Sequence, residues 1–319
     1  MEQWSFKASA PGSLMLLGEH AVLERKPALV CAVNKRITVE LKPNGEDFLT
    51  INNEKLGTLK QGLKEVKLQD PFKYVLAAII TFKPHLKSGF DLTIESEFSD
   101  KIGFGSSAAV TAATVAVIAK WLFPKAYSET VLFQQAKKAI LMVQETGSCS
   151  DLAASIYGGV ICYQMEPMKV DKLPPIPELS AVYCGFKRPT TEVISIVKAA
   201  KKAQPRVFDA LYRAIEICVK QAVMAIKQGD WPTLGQLFMH HQGLQSAMGV
   251  SNQILDTLVH QLCERQEILG AKISGSGLGD CVIGLGDLPK GLFPINGDQA
   301  KQGVRQLPVG ISEQGLKYG

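Results

Sequence analysis

In "AVNKRITVELK", Ile37, Val39 and Leu41 alternate with Thr38, Glu40 and Lys42, a period of two that predicts a half-buried strand. Phe90, Leu92 and Ile94 in "GFDLTIESE" predict a second. The segment "FKASAPGSLMLLGEHAVL" begins like a strand and is expected to break at Pro11-Gly12. It runs apolar from Leu14 to Leu17 and then places Gly18, Glu19 and His20 before another apolar run. Helical patterns lie between. "DPFKYVLAAIITF" offers Asp70 as a cap with Pro71 at the first helical position, and "SETVLFQQAKKAILMVQ" offers Ser128 as a cap.

Prolines cluster in "MEPMKVDKLPPIPELS", which places a domain junction near Leu179 and predicts domains of residues 1–178 and 179–319. The second half opens with a short strand, "AVYCGF". Helical patterns follow in "TEVISIVKAAKKA", "VFDALYRAIEICVKQAVMAIKQ", "WPTLGQLFMHHQGLQSAM" and "NQILDTLVHQLCERQ". A hairpin in "AKISGSGLGDCVIGL" and a last strand in "VRQLPVGIS" complete it. The expected class is α+β.

Composition narrows the function. With 319 residues, 46% hydrophobic and 20% charged, the chain is globular. Its formal charge of +5 is scattered, which weakly favours small anions and gives no reason to expect nucleic acid; "KKAQPR" reads as a solvated helix end. Seven cysteines without metal-site spacing, and an N-terminus without a signal-peptide core, predict a reducing, cytoplasmic setting. Ile102 to Ala119 carries no charge, yet its Gly, Ser, Thr and Ala content and the nearby Lys120 and Lys125 predict a buried helix and no membrane partner. His240 and His241 are adjacent on a helix, so their side chains diverge and no structural zinc is expected.

The strongest local chemistry is "DKIGFGSSAAVTAATVAV", which follows a strand and opens a helix. Gly103 and Gly105 allow close backbone approach. The amides from Ser106 to Ala108 then stand at a helix N-terminus, where partial positive charge meets phosphate. Ser106 and Ser107 add hydroxyls for phosphate or Mg2+. By itself this is also an ordinary turn with a cap. It is neither a dinucleotide fingerprint, since no acidic residue ends a strand some twenty residues on, nor a Walker A loop, which needs Gly-Lys-Ser/Thr. A second glycine-rich run, Gly270 to Leu285, places Gly275, Gly277 and Gly279 between two strand-like segments; alone it reads as a hairpin with an irregular turn.

Taken in order, "SAPGSLMLLGEHAVL", "IGFGSSAAVTAA" and "KISGSGLGDCVIGL" resemble the three motifs of the GHMP kinases, a family that includes galactokinase, homoserine kinase, mevalonate kinase and phosphomevalonate kinase. Their spacing covers nearly the whole chain. The resemblance implies an N-terminal domain with a left-handed βαβ unit, a ferredoxin-like C-terminal domain and ATP bound between them. Within the family, "GEHAVL" and "HHQGLQSAMGVSNQILDTL" are most similar to the mevalonate kinase branch. The implied reaction is ATP-dependent phosphorylation of the primary hydroxyl of mevalonate, with Mg2+ as cofactor. Phosphomevalonate kinase, another sugar-type kinase and a non-catalytic nucleotide-binding regulator are the alternatives, and a homodimer is the family expectation.

The resemblance also assigns roles. Asp151, in "ETGSCSDLAASIYGG", falls at the catalytic Asp; its competing role is a helix N-cap. Gly103, Gly105, Ser106, Ser107, Ala108, Gly275, Ser276 and Gly277 are expected at ATP. His20, Thr190, Thr191 and Lys187 are expected at the substrate, with Glu19 either orienting it or fixing a loop; a surface Glu, a core His and helix-capping Thr are the plain readings. Two positions depart from the pattern. Ile140 stands where ungapped counting puts the family's Mg2+-binding Glu, so Ser107 is the expected metal ligand and Glu145 the nearest carboxylate. Ser13 stands where the family has Lys, so a replacement cation is sought among Lys7, Lys35, Lys187 and Arg188, with the last two favoured.

Overall fold

The structure, a computed structural model, describes residues 4–99, 102–123, 125, 127–144 and 146–319. The chain opens with two long antiparallel strands, β1 (Phe6–Leu17) and β2 (Ala28–Pro43). Pro11-Gly12 does not end β1. The strand passes through them with a register shift between Pro11, opposite Arg36, and Ser13, opposite Ala32. Such a bulge re-aims the residues beyond it, and here the N–H of Ser13 donates to the carbonyl of Phe104 at 3.0 Å.

The hairpin β3 (Phe48–Asn53) and β4 (Gly57–Gly62) follows, then α1 (Lys73–Ile80) and β5 (Phe90–Ser96). β3 lies parallel to β5, with α1 in the connection. Asp70 does not cap α1: the helix starts three residues later, and the Asp70 carboxylate is taken by the Lys73 ammonium at 3.1 Å. Ser128 does cap its helix, accepting from Val131 N–H at 3.3 Å. Three helices come next: α2 (Ser106–Leu122), α3 (Glu129–Gln144) and α4 (Ser150–Tyr157). Eleven buried positions in α2, chiefly Ala and Val, let it lie closely on β1 and β2 as the core of this half. No described helix is long and apolar enough to cross a membrane.

Strands β6 (Val160–Gln164) and β7 (Lys169–Leu173) finish the first run of the chain. β8 (Leu179–Tyr183) then opens a second sheet. Its helices are α5 (Thr190–Ala203), α6 (Pro205–Gln228), α7 (Trp231–Ala247) and α8 (Gln253–Cys263). After them come β9 (Ala271–Ser274), β10 (Cys281–Leu285), α9 (Gly297–Gln302) and β11 (Arg305–Leu307). The strand order β11-β8-β10-β9, antiparallel throughout, is the ferredoxin-like arrangement. A final strand, β12 (Lys317–Tyr318), returns to pair with β1 in the first sheet. The class is α+β, and contacts of β9 and α7 with β1 set the end of the first motif against the glycine-rich loop of the third motif, hereafter the third loop.

Candidate active site

Gly105 is the N-cap of α2, in the left-handed region with φ 61°. An added Cβ there would lie 2.3 Å from Ser13 Oγ and 3.3 Å from Asp151 Cβ, so the position admits only glycine. The phosphate loop is thereby pressed against both β1 and α4. The first amides of α2 lack intrahelical acceptors and carry the positive end of the helix dipole.

Asp151 occupies the first turn of α4, whose N-cap is Cys149 at φ 57°; it is not the capping residue. Its Oδ1 accepts from Ser13 Oγ at 2.8 Å. Burial pushes the Asp151 carboxyl above its ordinary value, opposed by that hydrogen bond and by the positive charge of Lys187. The residue at the family's Lys position therefore holds the carboxylate by a hydroxyl, and Lys187, also in the lining of the cavity, brings the charge.

Glu19 is tied to β9 and the loop after it. Its Oε1 accepts from Lys272 Nζ at 2.5 Å and from the Gly275 N–H at 3.3 Å, bracing β9 and the start of the third loop. Burial pushes Glu19 up and Lys272 down, and their contact opposes both shifts. His241 lies behind them, its Nε2 accepting from Gly18 N–H at 3.0 Å; burial holds it well below the ordinary histidine range, so it is neutral. Gln242 adds a further tie, its Oε1 accepting from Ile273 N–H at 2.9 Å.

His20 Nε2 donates to the carbonyl of Ser276 at 2.8 Å, since a carbonyl only accepts. Burial lowers its pKa, so Nδ1 is left as an acceptor in the neutral ring. That suits a substrate hydroxyl better than a carboxylate.

These elements enclose a cavity of about 180 Å3. Its lining brings together the phosphate loop (Gly103, Gly105, Ser106, Ser107 and Ala108), Glu19, His20 and Asp151, the segment with Lys187, Thr190 and Thr191, and Gly275 and Ser276. Thr190 and Thr191 open α5 without a side-chain cap bond. Two expectations change. Gly277 is not in the wall, because it packs on Val250, whose carbonyl would lie 2.3 Å from an added Cβ. Arg188, just before α5, is held by Glu192 at 2.5 Å at an exposed position, and neither Lys7 nor Lys35 reaches the wall. Glu145 lies outside the described residues.

The residue that sequence reasoning missed is Asp280, which lines the cavity at the far end of the third loop. Burial pushes it up to about 6 despite Lys187, whose Nζ is 3.7 Å from Oδ2, while the buried Oδ1 has no hydrogen-bond partner. The signal was available: a carboxylate in "GLGDC" closing a glycine-rich turn. Nucleotide-bound Mg2+ needs only one or two carboxylates besides phosphate oxygens. The Ser107 hydroxyl and the Asp151 carboxyl share one cavity, so the residues fit that ion.

The fold, the glycine-lined cavity and the buried carboxylate define a small-molecule kinase. The GHMP kinases N terminal domain matches residues 73–159 and the GHMP kinases C terminal domain residues 222–307, and the chain belongs to this family of phosphotransferases that use ATP and act on an alcohol group. It is 34% identical to the mevalonate kinase of Archaeoglobus fulgidus over 93% of this chain and 98% of that one. It is 27% identical to the mevalonate kinase of Aeropyrum pernix over 98% and 97%. The crystal structure of Methanococcus jannaschii mevalonate kinase superposes with a TM-score of 0.77 at 23% identity, covering 97% of this chain and 98% of that one.

Proposed function

We propose that the protein transfers the γ-phosphoryl group of ATP to the primary hydroxyl of mevalonate, giving phosphomevalonate and ADP in isoprenoid precursor synthesis. The observation that carries the substrate choice is the cavity's supply of cations. Among the described residues of its wall, Lys187 is the one Lys or Arg, and His20 is neutral. A phosphorylated acceptor would require further cations facing its phosphate. The names of the relatives point the same way.

In this reading the amides of Ser106 to Ala108 hold the phosphates of ATP, and Asp151 orients the acceptor hydroxyl and takes its proton as the oxygen attacks. Ser13 fixes the Asp151 oxygen by the 2.8 Å bond. Lys187 supplies the positive charge that stabilises the transferring group. His20 Nδ1 accepts from a hydroxyl of mevalonate, and Thr190 and Thr191 offer hydroxyls to its carboxylate. Mg2+, held through Ser107 and a cavity carboxylate, would neutralise phosphate charge.

The test is ATP-dependent ADP release with mevalonate, phosphomevalonate, galactose and homoserine. Turnover is expected with mevalonate. Turnover with another acceptor alone would move the substrate, and none with any, despite ATP binding, would favour the regulator.

A further inference from the structure

We propose that Asp280 is a positioning residue for phosphoryl transfer, holding the Lys187 ammonium over the cavity beside Asp151. The inference rests on the cationic role given to Lys187 above. A lysine ammonium is a point charge on a flexible four-carbon stem, so a site that uses it must hold it. Two backbone bonds tie Asp280 to the segment that delivers Lys187. The Asp280 N–H donates to the carbonyl of Phe186 at 2.9 Å, and the Cys184 N–H donates to the carbonyl of Asp280 at 2.9 Å. The side chain completes the tie, with Oδ2 3.7 Å from Lys187 Nζ. The charge of Lys187 reaches Asp151 as well, and the two carboxylates repel each other, so the ammonium lies in the field of both.

Local geometry sets Asp280 apart from a passive loop residue. It adopts φ 74°, the left-handed region that a residue with a Cβ enters at a cost, in a loop that uses glycine at Gly275 and Gly277 for the same purpose. A Cβ on Gly103 would lie 2.4 Å from Asp280 Oδ1, so the phosphate loop packs directly on this carboxylate and yields space to it. A buried, partly unsatisfied charge in a strained conformation gives the fold little; it sets where the cation stands.

A double-mutant cycle on the full chain tests this, with the alcohol that wild type turns over as acceptor. Asp280→Asn keeps the shape and removes the charge. Its kcat should fall about tenfold or more while the KM for ATP moves less than about threefold. Lys187→Ala should lower kcat at least as much, and Lys187→Ala with Asp280→Asn should be no slower than Lys187→Ala alone. A double mutant slowed by the product of the two single effects would overturn the proposal, as would a weaker apparent Mg2+ affinity in Asp280→Asn, which would place Asp280 on the metal instead. Loss of kcat with a lowered melting midpoint at pH 7.5 would also overturn it, in favour of a structural role. Lys187→Ala with full kcat would sink the cationic role itself. A slow Lys187→Ala beside a normal Asp280→Asn would sink only the role of Asp280.

Discussion

Asp280→Asn should make the protein more stable at neutral pH while it makes it slower. Burial raises the Asp280 carboxyl from an ordinary 3.8 to about 6, with the attraction of Lys187 already counted. At about 1.4 kcal/mol per tenfold in proton affinity, carrying that charge in the folded chain costs about 3 kcal/mol. The sign follows from proton binding. Below pH 3.8 both folded and unfolded chains hold the proton, and between 3.8 and 6 only the folded chain does. Wild type therefore loses stability as pH rises through this window and stays at the lower level above it. The neutral Asn has no such loss. With an unfolding entropy of about 2 cal/mol/K per residue over 319 residues, the advantage is about 4–5 °C in melting midpoint at pH 7.5 and about 1–2 °C at pH 4.5. Scanning calorimetry of both proteins at the two pH values reads it directly. A midpoint at pH 7.5 that is equal to or below wild type would mean that the carboxylate stabilises the fold, against this expectation.

Asp151→Asn should keep the fold and ATP affinity while single-turnover transfer slows on the order of 10²-fold or more; an unchanged rate would remove Asp151 from the chemistry. Ser13→Ala removes a hydrogen bond that favours the Asp151 carboxylate, so the acid limb of kcat/KM should move to higher pH, with little loss at pH 8.5; a shift to lower pH would contradict the 2.8 Å contact. Glu19→Gln leaves the buried Lys272 without its counter-charge and should cost about 3–5 kcal/mol, read as a lower urea midpoint; a loss under about 1 kcal/mol would mean the pair contributes little.

Much of the site was legible because its parts are local in sequence. Gly103 to Ala108 carry both the turn and the helix start, and Thr190 and Thr191 begin the helix that "TEVISIVKAAKKA" announces. The alternation of Ile37, Val39 and Leu41 likewise matches the buried face of β2. Unread parts have no local signature. The β3–β4 hairpin is an outer, largely polar ribbon, and β12 is two exposed residues that earn their place only by pairing with β1. Glu19 meets Lys272 across 253 residues, and no spacing rule foresees that contact. Asp70 failed as a cap because a neighbouring lysine competed for it. Asp280 was passed over because glycine-rich loops are read for their backbone, whereas here a side chain in the loop faces the cavity.

Phosphorus-31 NMR of the products, with mevalonate and phosphomevalonate offered separately alongside ATP and Mg2+, shows which acceptor hydroxyl takes the phosphoryl group. In the mevalonate reaction a phosphomonoester resonance split by two methylene protons should grow as ADP appears, and phosphomevalonate should give no diphosphate product. Diphosphate resonances from phosphomevalonate, with mevalonate left unchanged, would contradict it.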